Sequence, residues 1–179
     1  MSNPSQVSRI AEIPHEQLSA AQAAVLETLL SGRGRIPTPY KVWLHSPELA
    51  KHLQALGTFL ASRTSLTRRE AEIVILTAAA HWNGEYVFAM HTREARAVGL
   101  TDEIVRNISE NGASLFESDR EQAVFELVRG FTTGQPAPDR LFEVAVRELG
   151  HAGVAELLAL FGYFTSVSLA MKLYRVTPA

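Results

Sequence analysis

The sequence contains no cysteine. Disulfide staples, thiolate zinc sites, iron–sulfur ligation and cysteine nucleophiles are therefore excluded together. An excess of one charge is missing too: 17 Lys and Arg stand against 19 Asp and Glu, a formal net charge of −2. So even a balance leaves no basic footprint for nucleic acid, and no such partner is expected. Neither a glycine-rich phosphate loop nor a G-x-S-x-G elbow is present. The histidines (His45 with His52, His81 with His91) match no compact ligand spacing, so neither a metal nor a cofactor is expected. Residues 1–17 form a polar arm without the apolar run of a secretory signal, which makes the cytoplasm the expected location.

Long apolar runs are nearly absent as well. The longest, Val154 to Met171, is interrupted by Glu156 and carries Gly162, Tyr163, Thr165, Ser166 and Ser168. It approaches the ~20 residues of a membrane span but reads better as a buried or interface helix, and no membrane partner is expected. A helix this apolar is more than a monomer's surface needs, so a homo-oligomer is expected.

What is present is helix punctuation, over a length suited to one domain spanning residues 1–179. Ser19 opens one helix, and the stretch holding Arg33, Gly34, Arg35, Pro37 and Pro39 reads as an ordered connection. Within it Arg33, Arg35 and Lys41 are basic groups able to receive a carboxylate. Ser46-Pro47 is read as the next start, with the Ser46 hydroxyl as cap. Thr67-Arg68-Arg69-Glu70 has capping-box spacing and leads into a stretch apolar on every side, the mark of a central helix. Asn83-Gly84 ends that helix, and Glu85 to Val98 forms an antiparallel partner. Thr101 and Ser118 cap two more, the first ending near Asn111. Helices over about 139–149 and 154–174 complete the chain. No alternating strand pattern occurs, so the expected class is all-α.

Chemistry concentrates in the hairpin. Val87, Phe88, His91, Ala95 and Val98 share one face of its second helix, so His91 is directed at the buried first helix. There Glu72 is the only ionisable side chain between Ala71 and Ala80. A lone carboxylate facing a lone imidazole is the arrangement that proton-transfer catalysis uses. A plain structural role is equally open, with His91 a hydrogen-bonded core residue and Glu72 bonded to Arg68 or Arg69. Glu85 alone is explained by the helix dipole.

The segment LTRREAEIVILTAAAHWNGEYVFAMHTREARAVGL (Leu66 to Leu100) resembles the core hairpin of the carboxymuconolactone decarboxylase family, which shares the alkylhydroperoxidase D-like fold. The match rests on the LT-x-R-x-x-E entry, Trp82-Asn83, Tyr86, His91 and the closing Gly99-Leu100. HSPEL (His45 to Leu49) and the C-terminal ELLALFGYFTSVSLAMKL add to it. The resemblance implies an all-helical fold built on an antiparallel helical hairpin and assembled as trimers or hexamers. In the peroxidase branch a C-x-x-C pair precedes the active-site His. Those two positions fall here at Gly84 and Val87, so thiol peroxidase activity is excluded. In the decarboxylase branch a Glu commonly stands where Val87 stands here.

The resemblance implies a lyase of aromatic-compound degradation acting on a small carboxylated lactone or related organic acid. His91, Glu72 and Tyr86 would be catalytic: His91 the proton donor, Glu72 its orienting partner, Tyr86 a hydroxyl for the developing oxyanion. Arg35, Glu85 and Trp82 would bind substrate. Because Gly84 and Val87 replace both familiar reactive positions, the alternative is a non-catalytic, oligomeric ligand-binding or scaffold member of the family.

Overall fold

A computed structural model describes residues 7–110, 112–113 and 116–178. Among these residues every regular element is helical, as the punctuation predicts. In chain order they are α1 (Ala20–Arg33), α2 (Thr38–Trp43), α3 (Pro47–Ser62), α4 (Arg68–His81), α5 (Glu85–Ala97), α6 (Asp102–Ser109), α7 (Asp119–Phe131) and α8 (Asp139–Leu173), with a 3₁₀ turn at His15–Gln17 before them. Residues 1–6 of the polar arm and Asn111 lie outside the described residues. So does the side chain of Arg33.

The centre of the fold is α4. Thr67 caps it as expected: its hydroxyl accepts from the Glu70 backbone N–H, and the Glu70 carboxylate accepts from the Thr67 N–H in return. From Glu70 to Ala79 every residue is buried, because α5, α6, α7 and α8 all pack around this helix. A helix surrounded on all sides needs apolar residues on all sides, which is what Ile73-Val74-Ile75-Leu76 supplies. Two carboxylates interrupt that apolar surface, and each has found a partner: Glu70 meets Arg120 on α7, and Glu72 meets His91 on α5.

The hairpin α4–α5 is antiparallel and turns through Trp82 and Asn83, the latter in the left-handed region at φ 49°. Gly84 follows, where a Cβ would stand 2.8 Å from the Ser168 Cβ and 2.9 Å from its hydroxyl. Glycine is required there because α8 crosses so closely. That helix is the one described element long and apolar enough by length and composition to cross a membrane. Here it packs on α4, α5 and α7. It is also broken where the sequence suggests, since Gly150 takes φ 68°, ψ 168° between two helical halves.

Three local expectations are corrected. The residues after Arg33 do not form a plain connection, because Thr38–Trp43 closes into a short helix with proline in its first turn, where a missing N–H costs nothing. Ser46 does not cap α3 with its hydroxyl; at φ −129°, ψ 84° it stands before the helix without that bond. Lys41 is not a free cation either, being paired with Glu12 of the N-terminal arm. The same arm is pinned by the Arg9 N–H donating to the Tyr174 carbonyl and by His45 Nε2 bonding the Ala11 carbonyl oxygen.

Candidate active site

Helix periodicity places His91 one turn beyond Val87 on the face of α5 that meets α4, and Glu72 in the first half of α4. The two side chains meet: His91 Nδ1 lies 2.8 Å from Glu72 Oε2. The carboxylate is buried, with 1% of the residue exposed, whereas the imidazole side chain keeps 22% of its surface. A buried carboxylate needs a donor, and the Nδ1–H of His91 is that donor. The bond assigns the other ring nitrogen, Nε2, to whatever approaches from the open side. The ring edge also packs on Phe164 of α8, centroids 4.9 Å apart at 83°. Bonded on one side and wedged on another, the ring has little freedom to turn.

The competing partners for Glu72 are engaged elsewhere. Arg69 donates to both oxygens of Glu121, at 2.7 and 3.1 Å, and that carboxylate raises the arginine's pKa above its usual value. Arg68 donates to the Ala61 carbonyl.

Beside the pair opens a cavity of about 320 Å³, of the size that takes a small organic molecule. His91, Glu72, Tyr86 and Arg35 all border it. Its remaining wall is mostly apolar and aromatic: Leu60, Ile75, Val87, Met90, Leu160 and Phe164 among others. Val87, in the position where a thiol would stand in the peroxidase branch, is buried against this space. His91 is therefore not sealed into a dry core. A hydrogen-bonded carboxylate–imidazole pair borders a void whose wall also carries Arg35, Arg68 and Glu94 among apolar side chains.

Two expected substrate contacts are not brought to it. Trp82, at the end of α4, turns its indole N–H onto the Thr165 hydroxyl of α8 at 3.1 Å and does not border the cavity. Glu85, on the first turn of α5, is exposed to solvent and also lies outside the wall. The physical reason is the helical period: a side chain one residue before Tyr86 and two before Val87 leaves α5 in another direction. Tyr86 borders the cavity as expected, but its hydroxyl donates to the Thr38 hydroxyl at 2.8 Å and so ties α5 to α2.

Sequence reading missed the contribution of α2 and of Arg68. Thr38, Tyr40 and Trp43 line the cavity together with Arg35 just ahead of them. Pro37 and Pro39 suggested a loop. The usable signal was proline at a helix start, followed by the apolar pair Tyr40 and Trp43 at i, i+3.

Residues 47–130 match the model of the carboxymuconolactone decarboxylase family. The segment contains the whole α4–α5 hairpin with Glu72 and His91, while α1, α2 and all of α8 lie beyond it. No curated protein sequence matches the chain. Among solved structures, the chain is similar over its full length to an uncharacterised peroxidase-related protein from Silicibacter sp. TM1040, covering 95% of that chain with a TM-score of 0.77 at 14% identity. It is also similar to a protein of unknown function from Agrobacterium tumefaciens named as a candidate AhpD antioxidant defence protein. That match has a TM-score of 0.67 and 21% identity, over 77% of this chain and 95% of the other. A third similar structure is a cysteine-to-alanine variant of the debrominase Bmp8 in complex with 2,3,4-tribromopyrrole. Its TM-score is 0.71 at 11% identity, over 94% of this chain and 90% of the other. The hairpin that matches the carboxymuconolactone decarboxylase family model thus sits in an AhpD-like all-helical fold.

Proposed function

We propose that this protein is a cofactor-independent carboxy-lyase acting on a small carboxylated lactone, or a related organic acid, by acid–base proton transfer. The observation that carries the reading is the 2.8 Å bond between His91 Nδ1 and Glu72 at the wall of a 320 Å³ cavity. Arg35 and Arg68 border the same cavity as the carboxylates of Glu72 and Glu94, and in this reading the two guanidinium groups hold the substrate's carboxylate.

In this reading the reactive form carries a proton on each His91 ring nitrogen, with Nδ1–H bonded to the Glu72 carboxylate. The substrate's carboxylate leaves as carbon dioxide, and the pair of electrons from the broken C–C bond passes into a dienolate conjugated with the lactone carbonyl. The apolar wall keeps water from competing for that charge. Nε2–H of His91 then protonates carbon, leaving neutral imidazole, which regains a proton from solvent. Glu72 remains a carboxylate throughout; its part is to hold the tautomer and to favour the charged ring, as the buried Asp does in the serine-protease triad.

Replacing His91 with Ala is expected to lower carbon dioxide release from carboxymuconolactone by ~100-fold or more, as for a lost general acid, with the helical circular dichroism spectrum unchanged. Undiminished turnover in that variant removes the mechanism.

Val87 supports a second reading, because a buried valine stands where the decarboxylase branch commonly carries a carboxylate. There the chain is a non-catalytic ligand-binding member of the family. Small lactone acids that raise the melting temperature without being turned over would favour it. In either reading the protein is a homo-oligomer. Phe142, Leu158, Leu169 and Leu173, all exposed on α8, support this, and light scattering tests it.

A further inference from the structure

Two buried hydroxyls among the described residues lack any hydrogen-bond partner: those of Tyr40 and Ser168. Their settings differ. Ser168 faces the bare α-carbon of Gly84 in a tight helix crossing and does not border the cavity. Tyr40 is 1% exposed and forms part of the cavity wall. Its ring is fixed edge-on against Trp43, centroids 5.1 Å apart at 86°, so the phenol is held in place without a bond from its oxygen.

A buried hydroxyl without a partner is a standing penalty that phenylalanine would avoid in the same space. The neighbouring Tyr86 shows the ordinary solution, with its hydroxyl on Thr38. Tyr40 lies two residues from Thr38 and has no such bond. We propose that the missing partner of the Tyr40 hydroxyl is an uncharged oxygen of the bound ligand, a lactone or ketone carbonyl, and that Tyr40 is a specificity-determining residue of the site. This rests on the small lactone acid proposed above as substrate. Charge recognition falls to Arg35 and Arg68, and carbonyl recognition to Tyr40. Tyr40 belongs to α2, outside the family-matched segment 47–130. The hairpin thus supplies the proton relay, while α2 selects what is brought to it.

The test is calorimetric titration of the wild type and Tyr40→Phe with two probes: γ-butyrolactone bearing a γ-carboxylate, and tetrahydrofuran carboxylate, which lacks the lactone carbonyl. The wild type should prefer the lactone acid by about tenfold or more, since a site built to bond an oxygen rejects the analogue without it. Tyr40→Phe should erase that preference by weakening the lactone acid alone, and the ligand-free variant should melt no lower than the wild type. Equal preference in both proteins overturns the proposal, and so does a clear drop in the ligand-free melting temperature, which would reveal a partner already present. Failure of both probes to bind the wild type overturns the assigned ligand class and Tyr40's role with it. Binding that Tyr40→Phe leaves unaltered overturns only the role of Tyr40 and leaves the acid–base reading standing.

Discussion

Glu70 and Glu72 lie two residues apart on the same helix and are almost equally buried, at 2% and 1% exposure, yet they are held in opposite ways. Glu70 receives the Arg120 Nε–H at 2.7 Å and the Thr67 backbone N–H at 2.8 Å. Arg120 also reaches the carbonyls of Ser65 and Glu148, so one guanidinium ties the start of α4 to α7 and α8. Arginine never gives up its proton in this range of pH. Glu72 is bonded instead to a group that does exchange protons, and it borders a cavity. Burial alone does not separate the two carboxylates; the chemistry of the partner and the access to that partner do.

The comparison breaks first at Arg120. Replacing it with Ala leaves Glu70 buried without its charge partner, which in comparable pairs costs roughly 3–5 kcal/mol. Arg120 keeps about a third of its side-chain surface in solvent, so the lower end applies. A loss near 3 kcal/mol corresponds to a fall in melting temperature of about 6–12 °C at this chain length. Scanning calorimetry checks it, and a shift of only a degree or two would mean that Glu70 is as replaceable as a surface acid.

Glu72→Gln should do the reverse. The amide oxygen still accepts the His91 Nδ1–H, so the fold and the ring orientation persist. The charge that favours imidazolium is lost, and hydrogen bonds to charged groups contribute ~1.5–3 kcal/mol. Turnover is expected to fall about ten- to hundredfold, with a melting temperature close to wild type. A variant that melts far lower but retains its rate per folded molecule would make Glu72 a second Glu70.

This division explains how far the sequence could be read. The Thr67–Glu70 box, the all-apolar middle of α4 and the face of α5 carrying His91 are local patterns, set by the 3.6-residue period, and each appears in the structure. The meeting of Glu72 and His91 was legible because a three-residue connection leaves antiparallel helices no choice but to pack. Contacts between distant segments left no such trace. Arg120 is 50 residues from Glu70, and Tyr40 borders the cavity from a helix that its prolines disguised as a loop. Trp82 and Glu85 were drawn toward the site by the family resemblance, which at a helix turn says little about the direction a side chain takes.

A smaller effect is expected at Gly84, which α8 crosses closely. A methyl group there would meet Ser168, which is fully buried on α8. Overpacking of this kind costs ~1–3 kcal/mol, so Gly84→Ala should melt a few degrees lower, and Ser168→Gly in the same chain should recover most of the loss. If Gly84→Ala alone is silent, the helix crossing is looser than 2.8 Å implies.

The smallest effect is the most discriminating for the site itself. Glu85 is one residue from Tyr86, and it is the acid nearest in sequence to Val87. If α5 keeps the register observed here, Glu85 stays in solvent at the helix N-terminus, where its charge complements the exposed N–H groups. Glu85→Gln should then leave turnover and lactone-acid affinity within roughly twofold of wild type, the range of surface substitutions. A tenfold loss of turnover would mean that the first turn of α5 unwinds during catalysis and swings this carboxylate into the cavity. It would then act beside Val87, and the proton relay would contain two carboxylates rather than one.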